Sequence, residues 1–255
     1  MTHIIAVTNQ KGGVGKTTTS VNLAAQLADS SRKVLLVDLD PQGNATSSLG
    51  IDKNSLERTL YDVLLDQQDL DSIVLSTSMK NLFLLPTNSN MAEAEVALVG
   101  VPNREQRLKA ILSKTDVDIV IIDCPPALGV LTINALTAAD QVLIPVQSEY
   151  FALEGLGQLL NTIQLVRERL NPKLEIFGIV LTMFNKRTVL SEQVYDEVKK
   201  HFGEKVFKTV IPRNVRLAEA PSFGKTIFEH DKWSKGARAY KRLSDEVTKR
   251  LNLQR

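Results

Sequence analysis

The residues with the clearest chemical potential form one short stretch, Lys11-Gly12-Gly13-Val14-Gly15-Lys16-Thr17-Thr18. It follows an apolar run over residues 3–7 (H-I-I-A-V), which the pattern predicts to be a buried strand. It precedes residues 20–27 (S-V-N-L-A-A-Q-L), whose apolar spacing suits a helix packed on a sheet. Strand, glycine-rich turn and helix is the setting that a phosphate-binding loop requires. Glycines let backbone amides curl around an anion, and the first turn of the helix adds its free N–H groups. In such a loop Lys16 reaches the β- and γ-phosphates of a nucleotide, and the Thr17 hydroxyl holds Mg2+. The strict G-x-x-x-x-G-K-[ST] pattern fails at its first position, where Gln10 stands. A second lysine, Lys11, precedes the paired glycines instead.

Carboxylates follow at the ends of two further apolar runs. Residues 33–38 (K-V-L-L-V-D) read as a buried parallel strand ending in Asp38, with Asp40 just beyond it. Chemistry in open α/β sheets sits past the carboxyl ends of strands, so both acids fall where a nucleotide belongs. One of them can face Mg2+ through water while the other approaches the γ-phosphate. Residues 117–123 (V-D-I-V-I-I-D) form the most hydrophobic strand and close on Asp123-Cys124-Pro125-Pro126. A carboxylate there, downstream of a phosphate loop, anchors Mg2+ or its water shell. Cys124 reads as a packed thiol, because no histidine lies near it in sequence.

The elements that must hold these groups alternate strand and helix. Strands are predicted at 81–86, 141–146, 174–184 and 206–211. Helices are predicted at 55–65, 91–99, 104–112, 131–139, 153–170, 190–202 and 236–251. Residues 43–54 and 212–226 read as loops. Alternation of this kind predicts an α/β fold, a P-loop NTPase with a mostly parallel twisted sheet and helices on both faces. No repeat or low-complexity linker divides residues 1–255, which predicts a single domain.

Composition narrows the class. The 255 residues are 43% hydrophobic and 24% charged, ordinary for a soluble globular protein. Neither a secretory signal nor an apolar stretch of membrane-spanning length is evident, so a cytoplasmic location is expected. One cysteine excludes an intrachain disulfide and a four-cysteine metal site, and three scattered histidines lack metal-ligand spacing. Charge is divided unevenly: residues 1–166 carry 11 Lys+Arg against 18 Asp+Glu, and residues 167–255 carry 20 against 11. A basic C-terminal third on a near-neutral chain suggests a surface for a polyanion, although solvated helix faces give the same count.

Five motifs together resemble the ParA/Soj chromosome- and plasmid-partitioning ATPases over almost the whole chain. They are K-G-G-V-G-K-T-T-T at 11–19, V-D-L-D-P-Q-G-N-A-T at 37–46, I-I-D-C-P-P at 121–126, P-V-Q-S-E-Y-F-A-L-E-G at 145–155 and V-I-P-R-N-V-R-L-A-E-A-P-S-F-G-K at 210–225. The first specifies only the wider superfamily with a deviant Walker A loop. The last two narrow it to the short ParA/Soj form, which lacks the N-terminal helix-turn-helix domain of long plasmid forms.

The resemblance implies a role for each matching residue. Lys11 is the signature lysine that reaches the partner's nucleotide across a homodimer, and Gly12 sits where the two loops face each other. Gly13, Val14, Gly15, Lys16, Thr17 and Thr18 hold the phosphates. Thr17, Asp38 and Asp123 serve the metal, and Asp40 orients the attacking water. Pro212 and Asn214 contact adenine, while Arg187 and Arg216 contact DNA.

The implied cofactors are ATP and Mg2+. The implied partners are a second copy of the chain, non-specific double-stranded DNA and a ParB/Spo0J-type centromere-binding protein that stimulates slow hydrolysis. A nucleoid-associated location follows, with no membrane partner expected. The alternative is a MinD-like membrane positioner, which needs a bulky amphipathic C-terminal helix. The tail over residues 248–255 carries two leucines and no aromatic. An electron carrier of the nitrogenase-reductase type needs two cluster cysteines per subunit. A small-molecule enzyme of the dethiobiotin-synthetase type needs no basic DNA face and should turn over quickly alone.

Overall fold

The apolar runs that end in acid form the middle of one seven-stranded sheet, ordered β3-β4-β2-β5-β1-β6-β7. The computed structural model describes residues 2–66, 69–149 and 154–253. The strands are β1 (His3–Val7), β2 (Val34–Asp38), β3 (Leu75–Ser76), β4 (Leu82–Leu85), β5 (Ile119–Asp123), β6 (Gln141–Gln147) and β7 (Glu175–Thr182). All neighbours pair in parallel except β3 and β4. Strand side chains divide by alternation. Ile5, Val7, Val34, Leu36, Ile119 and Ile121 enter one core, and Ala6, Leu35, Val37, Val120 and Ile122 enter the other. Continuous apolar strands therefore mean burial on both faces, as in other parallel sheets.

Helices cover each face. α1 (Lys16–Asp29) and α11 (Lys235–Arg250) supply Val21, Leu23, Leu27, Tyr240, Leu243 and Val247 to one core. The other core receives residues of α3 (Leu60–Asp66), α4 (Met91–Ala97), α5 (Arg107–Leu112), α6 (Val130–Ala138), α7 (Glu154–Arg169) and α8 (Val189–Phe202). Three short helices, α2 (Asn44–Ser48), α9 (Val215–Glu219) and α10 (Ile227–Asp231), add Ala45, Leu217 and Ile227 to the first core. The start of the helix expected from residue 153 falls at Glu154, and residues 150–153 of the fourth motif lie outside the described residues.

Four expectations need correction. The loop read over 43–54 contains α2 and a 3-10 turn at Lys53–Ser55. Here the Asp38 carboxylate accepts bonds from the Thr46 amide and hydroxyl, both at 2.7 Å, and fixes a Gly/Asn/Ser-rich stretch that has little helical propensity of its own. The strand read over 206–211 makes only isolated bridges, Ile179 with Val206 and Phe184 with Pro212. Its apolar residues are real, but they pack Phe207 and Ile211 into the core rather than extending the ladder. The loop over 212–226 contains α9 and a 3-10 turn at Ala220–Phe223. The helix expected at 55–65 begins only at Leu60, leaving Leu56 outside it.

The C-terminal helix locks onto β7 at Gly178. Arg250 stacks 3.8 Å from the Phe207 ring centroid and donates to the carbonyls of Phe177, Lys205 and Val206. A Cβ on Gly178 would stand 2.5 Å from the Lys205 carbonyl oxygen, 2.6 Å from Phe207 and 2.8 Å from Arg250. Backbone on one side and a stacked guanidinium on the other leave no room to yield. Gly178→Ala is expected to destabilise the chain by about 1–3 kcal/mol, as overpacking does. Chemical denaturation measures it, and a midpoint equal to wild type would refute the packing argument.

Candidate nucleotide site

The glycine-rich loop runs from the end of β1 to the start of α1. Gly13 (φ 72°) and Gly15 (φ 85°) both take the left-handed backbone region, which the loop needs in order to turn its amides inward. Distant groups tie the loop down. Asn9 donates through its side-chain amide to the Pro145 carbonyl at 2.7 Å and accepts from the Lys11 amide at 3.0 Å. The Thr182 hydroxyl at the end of β7 donates to the Val14 carbonyl at 2.8 Å.

Lys16 and Lys11 have opposite fates. Lys16 is 7% exposed, its ammonium donates to the Lys11 carbonyl at 3.2 Å, and burial lowers its pKa. An anion in the loop would relieve that desolvation. The Lys11 side chain is 41% exposed, its ammonium lies 3.7 Å from the Glu149 carboxylate, and it is not among the residues lining the cleft over the loop.

Below the loop, Asp38 and Asp123 stand opposite each other in the β2–β5 register, both fully buried. Asp123 accepts from the Ser20 hydroxyl at 2.8 Å, and Asp38 accepts from Thr46. One oxygen of each, Oδ1 of Asp38 and Oδ2 of Asp123, has no partner. Burial raises both pKa values, and for Asp38 the facing Asp123 adds to the effect. A divalent cation fits these residues, because two buried, mutually repelling carboxylates with unpartnered oxygens are stabilised by positive charge. No group of three or more His, Cys, Asp or Glu among the described residues could hold an ion unaided. The Thr17 hydroxyl and phosphate oxygens would have to complete the shell.

A cleft of about 560 Å³ opens over the loop, lined by Gly12, Gly13, Lys16, Thr17 and Thr18, and across from them by Asp40, Asn44 and Pro125. Asp40 is 7% exposed and one of its oxygens accepts the Gln42 amide at 2.9 Å. A second pocket of about 270 Å³ shares Gly15, Thr18 and Met183 with this cleft and is lined further by Pro212, Asn214, Leu217 and Tyr240. The Asn214 side-chain oxygen is buried without a partner. An apolar slot with one free acceptor, joined to an anion cradle, can take a base carrying an exocyclic amine.

A family profile described as an AAA domain matches residues 2–176. The Soj protein of Bacillus subtilis, described as a sporulation initiation inhibitor, is 58% identical over 97% of this chain and 98% of its own. The chromosome-partitioning ATPase Soj of Thermus thermophilus is 53% identical over 97% of this chain and 96% of its own. The chain belongs to the ParA/Soj family of chromosome-partitioning ATPases. Among solved structures, a Mycobacterium smegmatis protein described as cobyrinic acid a,c-diamide synthase, with an ATP analogue and magnesium bound, superposes with a TM-score of 0.88. It is 40% identical and covers 100% of this chain and 98% of that one.

Several ParA/Soj site features escape a reading of sequence alone. Thr182, Met183 and Tyr240 line the smaller pocket beside Pro212 and Asn214, and the profile match ends before all of them. Met183 has φ 50°, a conformation uncommon for a residue with a side chain, where the cleft and the pocket meet. Nothing in the sequence signals that strain. Ser20 and Thr46 bond the buried acids and were legible only as parts of the helix and of the second motif. The two basic candidates lie in separate segments. Arg187 is exposed in the turn before α8, and Arg216 sits in α9, its guanidinium 2.9 Å from Glu219 and 3.7 Å from Asp231.

Proposed function

We propose that this ParA/Soj ATPase closes as a homodimer around two ATP molecules, binds DNA without sequence preference in that state, and releases it on hydrolysis. The observation that carries the reading is the pair of lysines in one loop, Lys16 turned in and Lys11 turned out. A cation that does not line its own cleft has no work there. Across a two-fold axis it meets the partner's phosphates, where charge develops as the γ-phosphoryl leaves. Gly12, exposed at the mouth, permits the close approach.

Within one site, Lys16 and the amides of residues 12–18 bind the phosphates, and Asp40 orients the attacking water. Thr17, Asp38 and Asp123 would hold Mg2+, which would supply positive charge against that of the phosphates. Pro212 and Asn214 receive the adenine. Dimer closure places two copies of Arg187 and Arg216 on one body. Two weak phosphate-binding faces held together bind far better than either alone, so hydrolysis removes avidity along with the dimer. Stimulation by a ParB/Spo0J-type partner and location at the nucleoid belong to the same reading.

Membrane positioning draws no support from the C-terminus. Leu251 is buried and Leu253 packs against the core, so neither leucine of the tail is free to enter a bilayer; residues 254–255 lie outside the described residues. Among the described residues no helix is long and apolar enough to cross a membrane. Small-molecule synthesis, the class named for the M. smegmatis structure, predicts fast turnover without a partner.

Binding of a random-sequence duplex with ATP, with ADP and without nucleotide, across a salt series, tests the proposal. Tight binding is expected only with ATP. Arg216→Ala should weaken it by about tenfold and flatten the salt slope, since each lost phosphate contact removes about one released counterion per subunit. Equal binding in all three states, or none in any, would overturn the reading.

A further inference from the structure

The guanidinium of Arg216 is not free in the single chain. Its Nη1 donates to Glu219 Oε2 at 2.9 Å, and its Nε lies 3.7 Å from Asp231 Oδ2. Glu219 is one helical turn away on α9, and Asp231 closes α10, so two different elements bring carboxylates to one fork. Each carboxylate has a further neighbour. His230 Nε2 lies 3.5 Å from the same Glu219 oxygen, and the His230 ring stacks on Phe223 with centroids 5.0 Å apart. The other Asp231 oxygen accepts the Trp233 amide at 3.1 Å.

We infer that Glu219, bonded to Nη1 of Arg216, and Asp231, an ion-pair neighbour of its Nε, hold the edge of the guanidinium that a DNA phosphate would otherwise take, and thereby keep the affinity of each subunit's DNA face down. The inference rests on the reading of Arg216 as a DNA contact. A guanidinium presents its donors in a fixed planar fork, and carboxylate and phosphate oxygens fit that fork alike. A phosphate that takes the Nη1–Nε edge must therefore displace Glu219 and compete with Asp231 for the arginine's charge. Both acids are partly exposed, at 39% and 33% of their side-chain surface, so the exchange is open to solvent and needs no unfolding. Weak single faces are what an avidity switch requires. If one subunit bound DNA tightly, breaking the dimer would not release it.

The test compares four proteins on a random-sequence duplex at fixed low salt with ATP: wild type, Glu219→Gln, Asp231→Asn and Glu192→Gln. Glu192 is an exposed carboxylate in the first turn of α8 and controls for the general gain of one positive charge. Glu219→Gln keeps the side-chain shape and is expected to tighten binding about threefold to tenfold, with Asp231→Asn acting in the same direction more weakly. Glu192→Gln should change it by less than about twofold. Glu219→Gln should also give measurable binding with ADP, where wild type gives little, and its ATP affinity should equal that of wild type. No change in Glu219→Gln and Asp231→Asn overturns the inference, as does an equal gain in Glu192→Gln. Arg216→Ala separates the two levels of the argument: wild-type binding in that variant sinks the DNA reading itself. Weakened binding there, with no gain in Glu219→Gln, sinks only the carboxylate clamp.

Discussion

Replacing Asp40 with alanine is expected to leave ATP binding near wild type while lowering hydrolysis by about 100-fold or more, the usual worth of a positioned general base. Asp40 lines the open cleft, whereas Asp38 and Asp123 are buried beneath it with partners of their own. Among the described residues its side chain accepts from the Gln42 amide alone, through one oxygen. On the role proposed for Asp40, truncation should remove the group that orients the attacking water without emptying the phosphate cradle. An interaction made only on the way to the transition state lowers the rate without weakening substrate binding. Single-turnover phosphate release reports the first quantity and calorimetric ATP titration the second. With hydrolysis blocked, the ATP-bound dimer should accumulate and hold DNA longer. A rate within about threefold of wild type would remove Asp40 from the chemistry.

Gly12→Val should have the opposite signature, with nucleotide binding kept and assembly lost. A Cβ on Gly12 meets no atom within 4 Å, and Gly12 is absent from the left-handed backbone positions that Gly13 and Gly15 occupy. The single chain thus tolerates a side chain there, and Tm and ATP affinity should not move. Any large effect has to come from a second body facing the loop. In a two-fold interface the clash occurs twice, so about 1–3 kcal/mol of overpacking per copy becomes about 2–6 kcal/mol, or at least a ~30-fold loss in dimer affinity. Sedimentation velocity with ATP and the Asp40→Ala background measures it directly. A dimer of undiminished affinity would contradict the face-to-face arrangement of the loops. Failure to bind ATP would instead show that the loop itself had been distorted.

Local signals served well wherever the physics was local. The loop at 11–18, with its left-handed Gly13 and Gly15, has the expected strand before it and helix after it. The apolar five-residue runs closing on Asp38 and Asp123 are strands, because a strand buried on both faces must be apolar nearly throughout. Errors fall where tertiary contacts decide conformation. Residues 44–48 are helical because their N-terminal turn is held by Asp38, an acid outside the segment. Residues 206–211 read as a strand by composition, yet the 3-10 turn before them and Arg250 beside them leave only single bridges to the sheet.

The division between the two levels follows from range. Residue type and short spacing determined the phosphate cradle, the strand-end acids, the α/β class and the basic C-terminal third, since each depends on neighbours a few positions apart. Only the folded chain decided that Thr182 braces Val14 across 168 positions, and that Tyr240 meets the Thr19 hydroxyl across 221 to wall the base-side pocket. It alone turned Lys11 outward and Lys16 inward, and set Arg216 between two carboxylates from different helices. Those choices depend on which distant surfaces the packed cores bring into contact, and no local pattern of residues encodes that meeting.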